Sequence, residues 1–504
     1  DLAQALAGRR HHPGVSRRRV TVRALAACAA VACAAVLAVP GVAAAGPAVR
    51  AQPKLNPAFR QSTPDYTVRC AASRKLHLTI DPPHGTRVAV GDGAARKGHF
   101  EVSLPLAPGE GTTLRFLSGD RTRTYGVRCL PSDFPRWTVT LRGKRQAGWY
   151  MLTPNNFKYD PRYVTIVDSH GVPVWWIRRK PAPFDVHLLP DGDLAWAPFA
   201  ANTTGAGAFE VFSLAGRRRG SYRTVGWITN QHDLQVQPDG SAYLITYRPR
   251  EHVDLSRWGG PSDAIVLDGE IQQVDRDGHL LWHWSTKKHL AVSESGRWLD
   301  VVIHKNKPIP LPDGRPSYDL VHMNSVEPFG SKLVFSARHE DAVYEIDRPS
   351  GKVLWKLGGR HTSKSLKIRG GLDPRNFGGN HDARVRDGGR VVTLYDNGSL
   401  RSRPPRALEF WIDRRKRTAT LVREIRFAPA RDSICCGSAR VLPGGNWVIG
   451  WGHIPWVTEQ RPDGTPVFEL HFADPEWSSY RAVPVLRGEL SRGALRRGMD
   501  AMAP

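Results

Sequence analysis

The stretch HDARVRDGGRVVTLY, residues 381–395, contains a short strand pattern, an aspartate–glycine turn and a second strand pattern. Four further stretches follow the same order, with FDVHLLPDGDLAW at residues 184–196, HDLQVQPDGSAYLI at 232–245, HMNSVEPFGSKLVF at 322–335 and GSARVLPGGNWVIGW at 437–451. Two strand patterns joined by such a turn predict an antiparallel hairpin. The chain between about residues 137 and 488 therefore repeats one structural unit.

A second type of hairpin alternates with the first, and its last strand tends to carry tryptophan. Its copies are residues 165–176, 272–284 and 344–357, with looser copies at 410–424 and 458–470. One hairpin of each type makes a four-stranded blade, and tandem blades predict a β-propeller. The segment Tyr480-Arg481-Ala482 can supply a sixth inner strand, pairing with residues 148–153 and the strand before Asp168. The expected architecture is an all-β, six-bladed β-propeller, closed by one late strand and three early ones.

The residues before the propeller predict a separate small domain. Short strand patterns separated by turn residues run through residues 63–131, which is typical of a β-sandwich. The expected division is an N-terminal extension and signal peptide (1–45), a linker (46–62), a β-sandwich (63–133), the propeller (134–490) and a C-terminal tail (491–504). Residues 286–318 are expected to form an insertion between two hairpins, and the outer hairpin within residues 206–222 is poorly marked.

Composition and charge exclude some classes of protein. Of the 504 residues, 40% are hydrophobic and 24% are charged, which indicates a globular chain and excludes a disordered one. The formal net charge of +25 would suit a nucleic-acid binder. The basic residues are spread along the whole chain, and GC-rich coding produces the same arginine bias, so no nucleic-acid partner is expected. A positive field that attracts small or polymeric anions is the alternative.

The N-terminal region has the pattern of a secretory signal. Arg17, Arg18, Arg19 and Arg23 precede an apolar run over residues 24–39, and Ala43-Ala44-Ala45 offers a cleavage site. The chain is therefore expected to be secreted or held at the cell surface, with a retained anchor as the alternative. Because no later segment approaches 18 consecutive apolar residues, no stable membrane span is expected in the mature chain.

Four of the six cysteines lie after the predicted signal. Cys70 and Cys129 lie at the two ends of the predicted sandwich and should form a disulfide, as is usual in exported proteins. Cys435 and Cys436 are adjacent and could form a vicinal disulfide or remain thiols.

Three histidines occupy one register position of the first-type hairpins. His232, His322 and His381 each lie eight residues before the turn glycine of their hairpin. Because the innermost strand of every blade lines the central channel, equivalent positions should meet at one end of that channel. A packing role is the alternative for each imidazole, in which Asp233 and Asp382, which follow two of them, simply tie blades together. His187 is off this register.

Further polar groups are expected beside the histidines. Asn324 lies two residues after His322 and shares its face of the strand, Arg338 ends the partner strand, and Ser438 begins the fifth inner strand. A neutral imidazole can act as nucleophile or base, and a guanidinium group binds tetrahedral oxyanions. This set predicts transfer of an anionic group. The sequence has no GxxxxGK phosphate loop and no acidic pair suited to magnesium, so no nucleotide donor, no cofactor and no metal are expected.

Several motifs give the chain a family resemblance. Residues 66–488 resemble the bacterial arylsulfotransferases that use no nucleotide sulfate donor, in particular their shorter, actinobacterial-type branch. The motifs that carry the resemblance are YGVRCLPSDFP, WITNQHDLQVQPDG, VHMNSVEPFGSKLVFSAR, VLWKLGG, NHDARVRDGGRVVTLYDNG and GSARVLPGGNW. The resemblance implies a six-bladed propeller and a histidine that becomes transiently sulfated, which falls on His381. It also implies channel roles for His232, His322, Arg338 and Asn324, with Ser438 at the position of a family threonine.

The sequence therefore predicts an aryl-sulfate sulfotransferase. His381 would attack the sulfur of an aryl sulfate and pass the sulfuryl group to a phenolic acceptor in a ping-pong reaction. His232, His322 and Arg338 are the other expected catalytic residues, with Asn324 and Ser438 binding substrate. Two alternatives are a non-catalytic extracellular propeller that binds an anionic ligand or polymer, and a hydrolase whose three histidines hold a metal. The N-terminal sandwich is compatible with a docking role or with a homodimer.

Overall fold

The computed structural model describes residues 48–70, 74–156, 162–200, 207–373 and 376–503. Strands predominate throughout these ranges, so the prediction of an all-β protein is confirmed. The predicted secretory signal lies outside the described residues. Within them, none of the helices is long and apolar enough to cross a membrane.

The N-terminal region consists of two sheets. One contains β1 (Ala48–Gln52), β3 (Lys75–Asp81) and β5 (Phe100–Pro105), and the other contains β2 (Asp65–Arg69), β4 (Thr86–Val90), β6 (Gly111–Ser118) and β7 (Arg121–Leu130). Strand β1, which pairs with β3, lies in the segment predicted as a linker. Its Val49 packs in the apolar cluster that the two sheets share, and this burial explains why the segment is ordered as a strand.

Two similar segments, YTVRC at residues 66–70 and YGVRC at residues 125–129, begin and end this region and pair with each other. Strands β2 and β7 are parallel, with Val68 opposite Cys129. This pairing brings Cys129 close to Cys70, and the two form the disulfide that the sequence predicted.

Six of the further sheets in the described residues each contain four adjacent antiparallel strands. The first sheet consists of β9 (Trp149–Asn155), β10 (Arg162–Asp168), β11 (Pro173–Arg179) and β35 (Ser478–Val485), and the second consists of β12 (Pro183–Leu188), β13 (Leu194–Pro198), β14 (Phe209–Phe212) and β15 (Arg218–Tyr222). The third consists of β16 (Thr229–Val236), β17 (Ala242–Val253), β18 (Ala264–Val274) and β19 (Leu280–Ser285), and the fourth consists of β22 (Met323–Phe329), β23 (Lys332–Ala337), β24 (Ala342–Asp347) and β25 (Val353–Gly358).

The fifth and sixth sheets each carry an additional edge strand. The fifth consists of β27 (His381–Arg386), β28 (Val391–Asp396), β29 (Arg406–Asp413) and β30 (Thr418–Ile425), with the short β26 (Lys367–Arg369) beside β30. The sixth consists of β31 (Ser438–Val441), β32 (Trp447–Gly450), β33 (Trp456–Gln460) and β34 (Pro466–Phe472), with β8 (Trp137–Leu141) beside β34.

The two ends of the repeat region are joined twice. Strand β35 pairs with β9, placing Ala482 opposite Leu152, so the predicted late strand does join three early ones. Strand β8 joins the sixth sheet, which the sequence analysis did not foresee because its five residues follow no hairpin pattern. The innermost strands of the six sheets contact one another in a closed ring. In order, these strands are β35, β12, β16, β22, β27 and β31.

Apolar side chains fill the spaces between neighbouring sheets. Six separate clusters each draw residues from two adjacent sheets, including the closing pair of the sixth and first sheets. The tryptophans of the outer strands, such as Trp175 and Trp355, are buried in these clusters. Burial of apolar area between sheets, at about 25 cal/mol per Å², is therefore what holds each sheet against the next.

The predicted insertion, residues 286–318, connects the third and fourth sheets. It contains the turns Thr286–Lys288 and Val292–Ser295, the helical segments Trp298–Asp300 and Val301–Lys305, and the two short strands β20 (Ile309–Pro310) and β21 (Pro316–Ser317). Its Leu299 and Val302 pack against residues of β18, in a small apolar cluster of their own.

The residues predicted as a C-terminal tail mostly form a helix, α1 (Arg492–Met502). The hydroxyl of Ser491 accepts the Ala494 N–H at 3.1 Å and caps it. Leu495 and Met499 pack in the cluster of the first sheet, and Arg496 forms an ion pair with Asp65 at 2.7 Å. This amphipathic helix is held between the repeat region and the N-terminal region.

Candidate active site

The starts of three inner strands bring three histidines together. His232 lies in β16, His322 directly precedes β22, and His381 is the first residue of β27. The rings of His232 and His322 lie 5.0 Å apart, and both, together with His381, lie close enough to Arg338 for its charge to depress their pKa values. The structure therefore brings the four predicted catalytic residues together.

A fourth imidazole, His339, belongs to the same group. It follows Arg338 in the turn Arg338–Glu340, and its ring lies 4.6 Å from that of His322. The pattern of histidines near the starts of inner strands did not predict it, because it lies after a second strand. Its only sequence signal is its position next to Arg338.

Each of the four imidazoles has a hydrogen-bond acceptor at Nδ1. Nδ1 of His232 lies 2.5 Å from Oδ1 of Asn230, and Nδ1 of His322 lies 2.6 Å from a carboxylate oxygen of Asp319. Nδ1 of His339 lies 2.6 Å from the carbonyl oxygen of Asp319. These oxygens are hydrogen-bond acceptors, so each neutral ring carries its proton on Nδ1 and its lone pair on Nε2.

His381 is held in the same form by two acceptors. Its Nδ1 lies 2.8 Å from Oδ1 of Asn397 and 2.9 Å from the carbonyl oxygen of Gly379. The amide nitrogen of Asn397 donates to Ser433 and to the Cys436 carbonyl, both at 2.9 Å, which fixes its oxygen towards the imidazole. Among the described residues, the lone pair on Nε2 of His381 accepts a hydrogen bond only from the backbone N–H of Cys436, at 3.2 Å.

Burial keeps these imidazoles uncharged. Burial lowers the pKa of His381 well below its ordinary value, and the charge of Arg338 lowers it further. The pKa values of His232, His322 and His339 are lowered well below the ordinary value for the same first reason. At neutral pH the group therefore offers neutral nitrogen lone pairs, which suits a nucleophile or a base.

Arg338 is a cation without a carboxylate partner in the part of the chain that the structure describes. Its Nη1 donates to Nε2 of His339 at 2.5 Å, and its Nη2 donates to the carbonyl oxygen of Ile434 at 2.8 Å. Its buried Nε has no hydrogen-bond partner among the described residues. A half-buried guanidinium group whose hydrogen-bond acceptors are neutral is suited to binding an anion.

The two predicted substrate-binding residues differ in whether the side chain has a polar atom without a hydrogen-bond partner. Asn324 is fully buried and donates to the Asn380 carbonyl at 2.7 Å, but its Oδ1 has no partner among the described residues. The Ser438 hydroxyl is engaged on both sides, because it accepts the Ala482 N–H at 3.0 Å and donates to the Ala482 carbonyl at 3.2 Å. Ser438 therefore links β31 to β35.

On the inner strands, the residues that directly follow Phe184, His232, His381 and Tyr480 form ion pairs. Arg481 donates to Asp185 at 2.7 Å and to Asp233 at 3.0 Å. Asp382 pairs with Arg440 at 3.0 Å and with Arg384 at 2.8 Å. Asp382 thus ties the fifth sheet to the sixth, and Asp233 ties the third sheet to the first across the ring, so both join blades as the sequence suggested. His187, the histidine off the shared register, lies 2.6 Å from Asp185 of this ion-pair layer.

An apolar wall adjoins the histidines. Phe184 and Tyr480 stack with ring centroids 3.9 Å apart, and His232 meets both rings edge-on. Cys435 and Cys436 belong to the same apolar cluster. Their sulfurs are 2.7 Å apart and both thiols are free, which is the second of the two alternatives that the sequence left open.

One of the groups that could hold a metal overlaps with this region. Ligand atoms of Asp319, His322 and His339 lie within 4.8 Å of one another. Both ring nitrogens of His339 are already engaged, one by a carbonyl oxygen and the other by Arg338. His339 could therefore bind a metal only if Arg338 moved, and the predicted set of His232, His322 and His381 does not form such a group.

The fold and the site together define an all-β protein in which imidazoles from several sheets surround one arginine. A family model described as Arylsulfotransferase (ASST) matches residues 219–473, just over half of the chain. This match spans His232, His322, Arg338, His381 and Ser438. The chain belongs to the arylsulfotransferase family.

The other comparisons add little. None of the curated proteins matches the chain. Among solved structures, a protein of unknown function from Bacteroides caccae is 12% identical, with 68% of this chain and 100% of that chain covered and a TM-score of 0.38. A periplasmic gluconolactonase from Pseudomonas aeruginosa is also 12% identical, with coverages of 66% and 99% and a TM-score of 0.37. TM-scores this low support neither a fold nor a function.

Proposed function

We propose that this protein transfers a sulfuryl group from an aryl sulfate ester to a phenolic acceptor, through a sulfohistidine on His381 and without a nucleotide donor. One observation carries the proposal. A neutral imidazole with its lone pair on Nε2 lies near enough to feel the charge of a guanidinium group that has no carboxylate partner among the described residues. Family membership supports arylsulfotransferase activity, and this geometry supports the particular mechanism.

In the first half-reaction, Nε2 of His381 attacks the sulfur of the donor. The Nε2–S bond forms, the bond from sulfur to the aryl oxygen breaks, and the aryl oxide leaves with the electron pair. The Nδ1 proton stays on the ring and is held by Asn397 and the Gly379 carbonyl. Arg338 binds the non-bridging oxygens, and removal of such a donor costs about 2.7–4 kcal/mol of barrier in comparable sites.

His322 is the better placed of the two remaining predicted imidazoles to exchange the proton. Its Nδ1–H is held by the Asp319 carboxylate at 2.6 Å, and this negative charge stabilises the imidazolium form when it arises. His232 has only the neutral Asn230 amide at that position. His322 is neutral and its one proton faces Asp319, so it serves as the base of the second half-reaction. The aryl oxide leaves as an anion and takes its proton from water, while His232 contributes to the polar wall.

In the second half-reaction an acceptor phenol replaces the first product. His322 takes the phenolic proton as the oxygen attacks sulfur and then releases it to water, and the bond from sulfur to Nε2 of His381 breaks. The imidazole recovers its lone pair, and a new aryl sulfate leaves. Asn324, with its unpartnered Oδ1, is kept as a substrate-contacting residue. Ser438 is left out, because its hydroxyl already serves Ala482 on both sides.

We also infer how the parts of the chain are organised. The ring of inner strands supports six blades of a β-propeller over residues 134–490, and the two N-terminal sheets, which share one apolar cluster, support a sandwich over residues 63–133. The signal pattern before residue 46 supports export to the cell surface or medium. The motifs further suggest the shorter, actinobacterial-type branch of the family.

The test is mass spectrometry of the purified protein after brief exposure to p-nitrophenyl sulfate. The wild type should gain one sulfuryl group on His381 and lose it when phenol is added. His381→Ala should gain none, and His187→Ala, which alters an inner-strand histidine outside the site, should behave as the wild type.

Other outcomes would contradict the proposal. Binding of the donor with neither adduct nor released nitrophenol would indicate a non-catalytic anion-binding propeller. Nitrophenol release without an adduct would indicate a hydrolase, and analysis of bound metal would then follow.

A further inference from the structure

The insertion between the third and fourth sheets places one tryptophan against the candidate active site. Trp298 is only 2% exposed, and its ring centroid lies 4.6 Å from that of His339. The guanidinium carbon of Arg338 lies 4.6 Å from the centroid of the same indole. The indole therefore contacts both the cation and the imidazole to which that cation donates.

A second arginine makes the same contact and shows what is unusual about the first. The guanidinium carbon of Arg297 also lies 4.6 Å from the Trp298 centroid. Arg297 is fully paired, because its Nε and Nη2 donate to the Asp341 carboxylate at 2.6 and 2.9 Å. In the described parts of the chain, the hydrogen bonds of Arg338 go to neutral acceptors, and it forms no ion pair with a carboxylate.

Asp341 anchors the indole and links it to the strand of the nucleophile. It accepts the indole N–H of Trp298 at 2.8 Å and the backbone N–H of Gly379 at 2.7 Å. Gly379 in turn accepts the Nδ1–H of His381. One carboxylate thus fixes the insertion relative to the segment that leads into β27.

We propose that Trp298 is a positioning residue that holds the guanidinium group of Arg338 in place for the sulfate of the donor. This inference rests on the proposed function. An aromatic face attracts a guanidinium group without neutralising it, whereas a carboxylate would occupy the N–H groups that an incoming sulfate needs. Trp298 therefore orients the cation and leaves its positive charge available.

The experiment measures donor binding separately from turnover. In a His381→Ala background, which cannot consume the donor, the dissociation constant of p-nitrophenyl sulfate is measured by calorimetry. Adding Trp298→Leu should raise it about tenfold, the size of a desolvated cation–π contact. Adding Trp298→Phe, which keeps an aromatic face but loses the N–H to Asp341, should raise it about threefold.

A double-mutant comparison distinguishes positioning from general damage to the site. In an Arg338→Gln background, titrated to millimolar donor, Trp298→Leu should weaken binding less than twofold, because its effect passes through the arginine. The matched control is Trp282→Leu, since Trp282 also packs under an arginine, with Arg348 at 5.7 Å, but lies on the outer strand β19. It should leave donor binding unchanged.

The results that would overturn this inference differ from those that would overturn the proposed function. Unchanged donor affinity in a folded Trp298→Leu or Trp298→Phe protein, or an equal loss with and without Arg338, would overturn the positioning role alone. Failure of the His381→Ala parent to bind p-nitrophenyl sulfate would overturn the proposed function, and the positioning role with it.

Discussion

Two adjacent layers of side chains on the inner strands differ in whether their charged groups form ion pairs. The first layer holds His232, His381 and Tyr480 at the strand starts, and the second holds the residues that directly follow them, Asp233, Asp382 and Arg481. In the second layer three aspartates and three arginines are interlinked by ion pairs. In the first layer one arginine has no carboxylate partner among the described residues, and the imidazoles are neutral.

The pKa values express the same difference. Burial alone would raise the pKa of Asp233, but Arg384 and Arg481 hold it at about 2. In the histidine layer, burial and the charge of Arg338 act in the same direction and lower the pKa of His381. Ion pairs of the second layer link the sheets in the folded protein. The guanidinium group of Arg338 has no such partner among the described residues and is therefore available to bind an anion.

The largest effect should come from the nucleophile. His381→Gln should reduce sulfuryl transfer from p-nitrophenyl sulfate to background, because the variant loses the Nε2 lone pair that attacks sulfur. The free energy of unfolding should change by only about 1 kcal/mol, the worth of a typical hydrogen bond. Steady-state assays and urea unfolding check both parts, and retained transfer would assign the nucleophile to another residue.

Breaking the paired layer should mainly cost stability. Arg481→Met leaves Asp185, Asp233 and Asp382 buried with less compensation, so the free energy of unfolding should fall by about 3–5 kcal/mol. Chemical denaturation monitored by tryptophan fluorescence measures this loss. A variant as stable as the wild type would show that the ion pairs of this layer do not hold the sheets together.

The same change in the unpaired layer should mainly cost activity. Arg338→Met should raise the barrier for donor turnover by about 2.7–4 kcal/mol, measured as kcat/KM for p-nitrophenyl sulfate. Stability should stay the same or rise, because the variant buries no unpaired cation. Loss of stability comparable with that of Arg481→Met would contradict the difference between the layers.

A new charge beside the nucleophile should shift its pH dependence. In the wild type the acid limb of kcat/KM should lie below about pH 6.5, the ordinary pKa of histidine, because the pKa of His381 is lowered. Asn397→Asp places a carboxylate at Nδ1, which favours the imidazolium form and raises that pKa. The variant should therefore lose activity at a higher pH than the wild type as the pH falls. Identical acid limbs in the two proteins would contradict the role of Asn397.

The smallest effect should come from Ser438. Ser438→Ala removes a hydroxyl that bonds only to the Ala482 backbone, so the unfolding free energy should fall by about 1 kcal/mol. Transfer kinetics should match the wild type in the same assay. A large fall in kcat would return Ser438 to the set of substrate-contacting residues.

The regular parts of the fold were predictable because their signals are local. Hairpin turns, alternating strands and the late strand around Arg481 were all read from the sequence, and β35 does pair with β9. Strand β1, strand β8 and helix α1 were not predicted, because each is short and is stabilised by packing against distant segments. The shared register of His232, His322 and His381 was likewise a local signal, and the structure brings the three together.

By itself, the sequence determined which residue types recur at which phase of the repeat, and hence the all-β class and the histidines at the strand starts. Only the tertiary structure decided which charges are matched, since Asp319, Asn397 and Trp298 reach the site from segments with no common pattern. It also decided that His339 joins the group and that the Ser438 hydroxyl is already engaged. The physical reason is that burial and pairing of polar groups depend on distances between remote segments, which no local pattern of residues specifies.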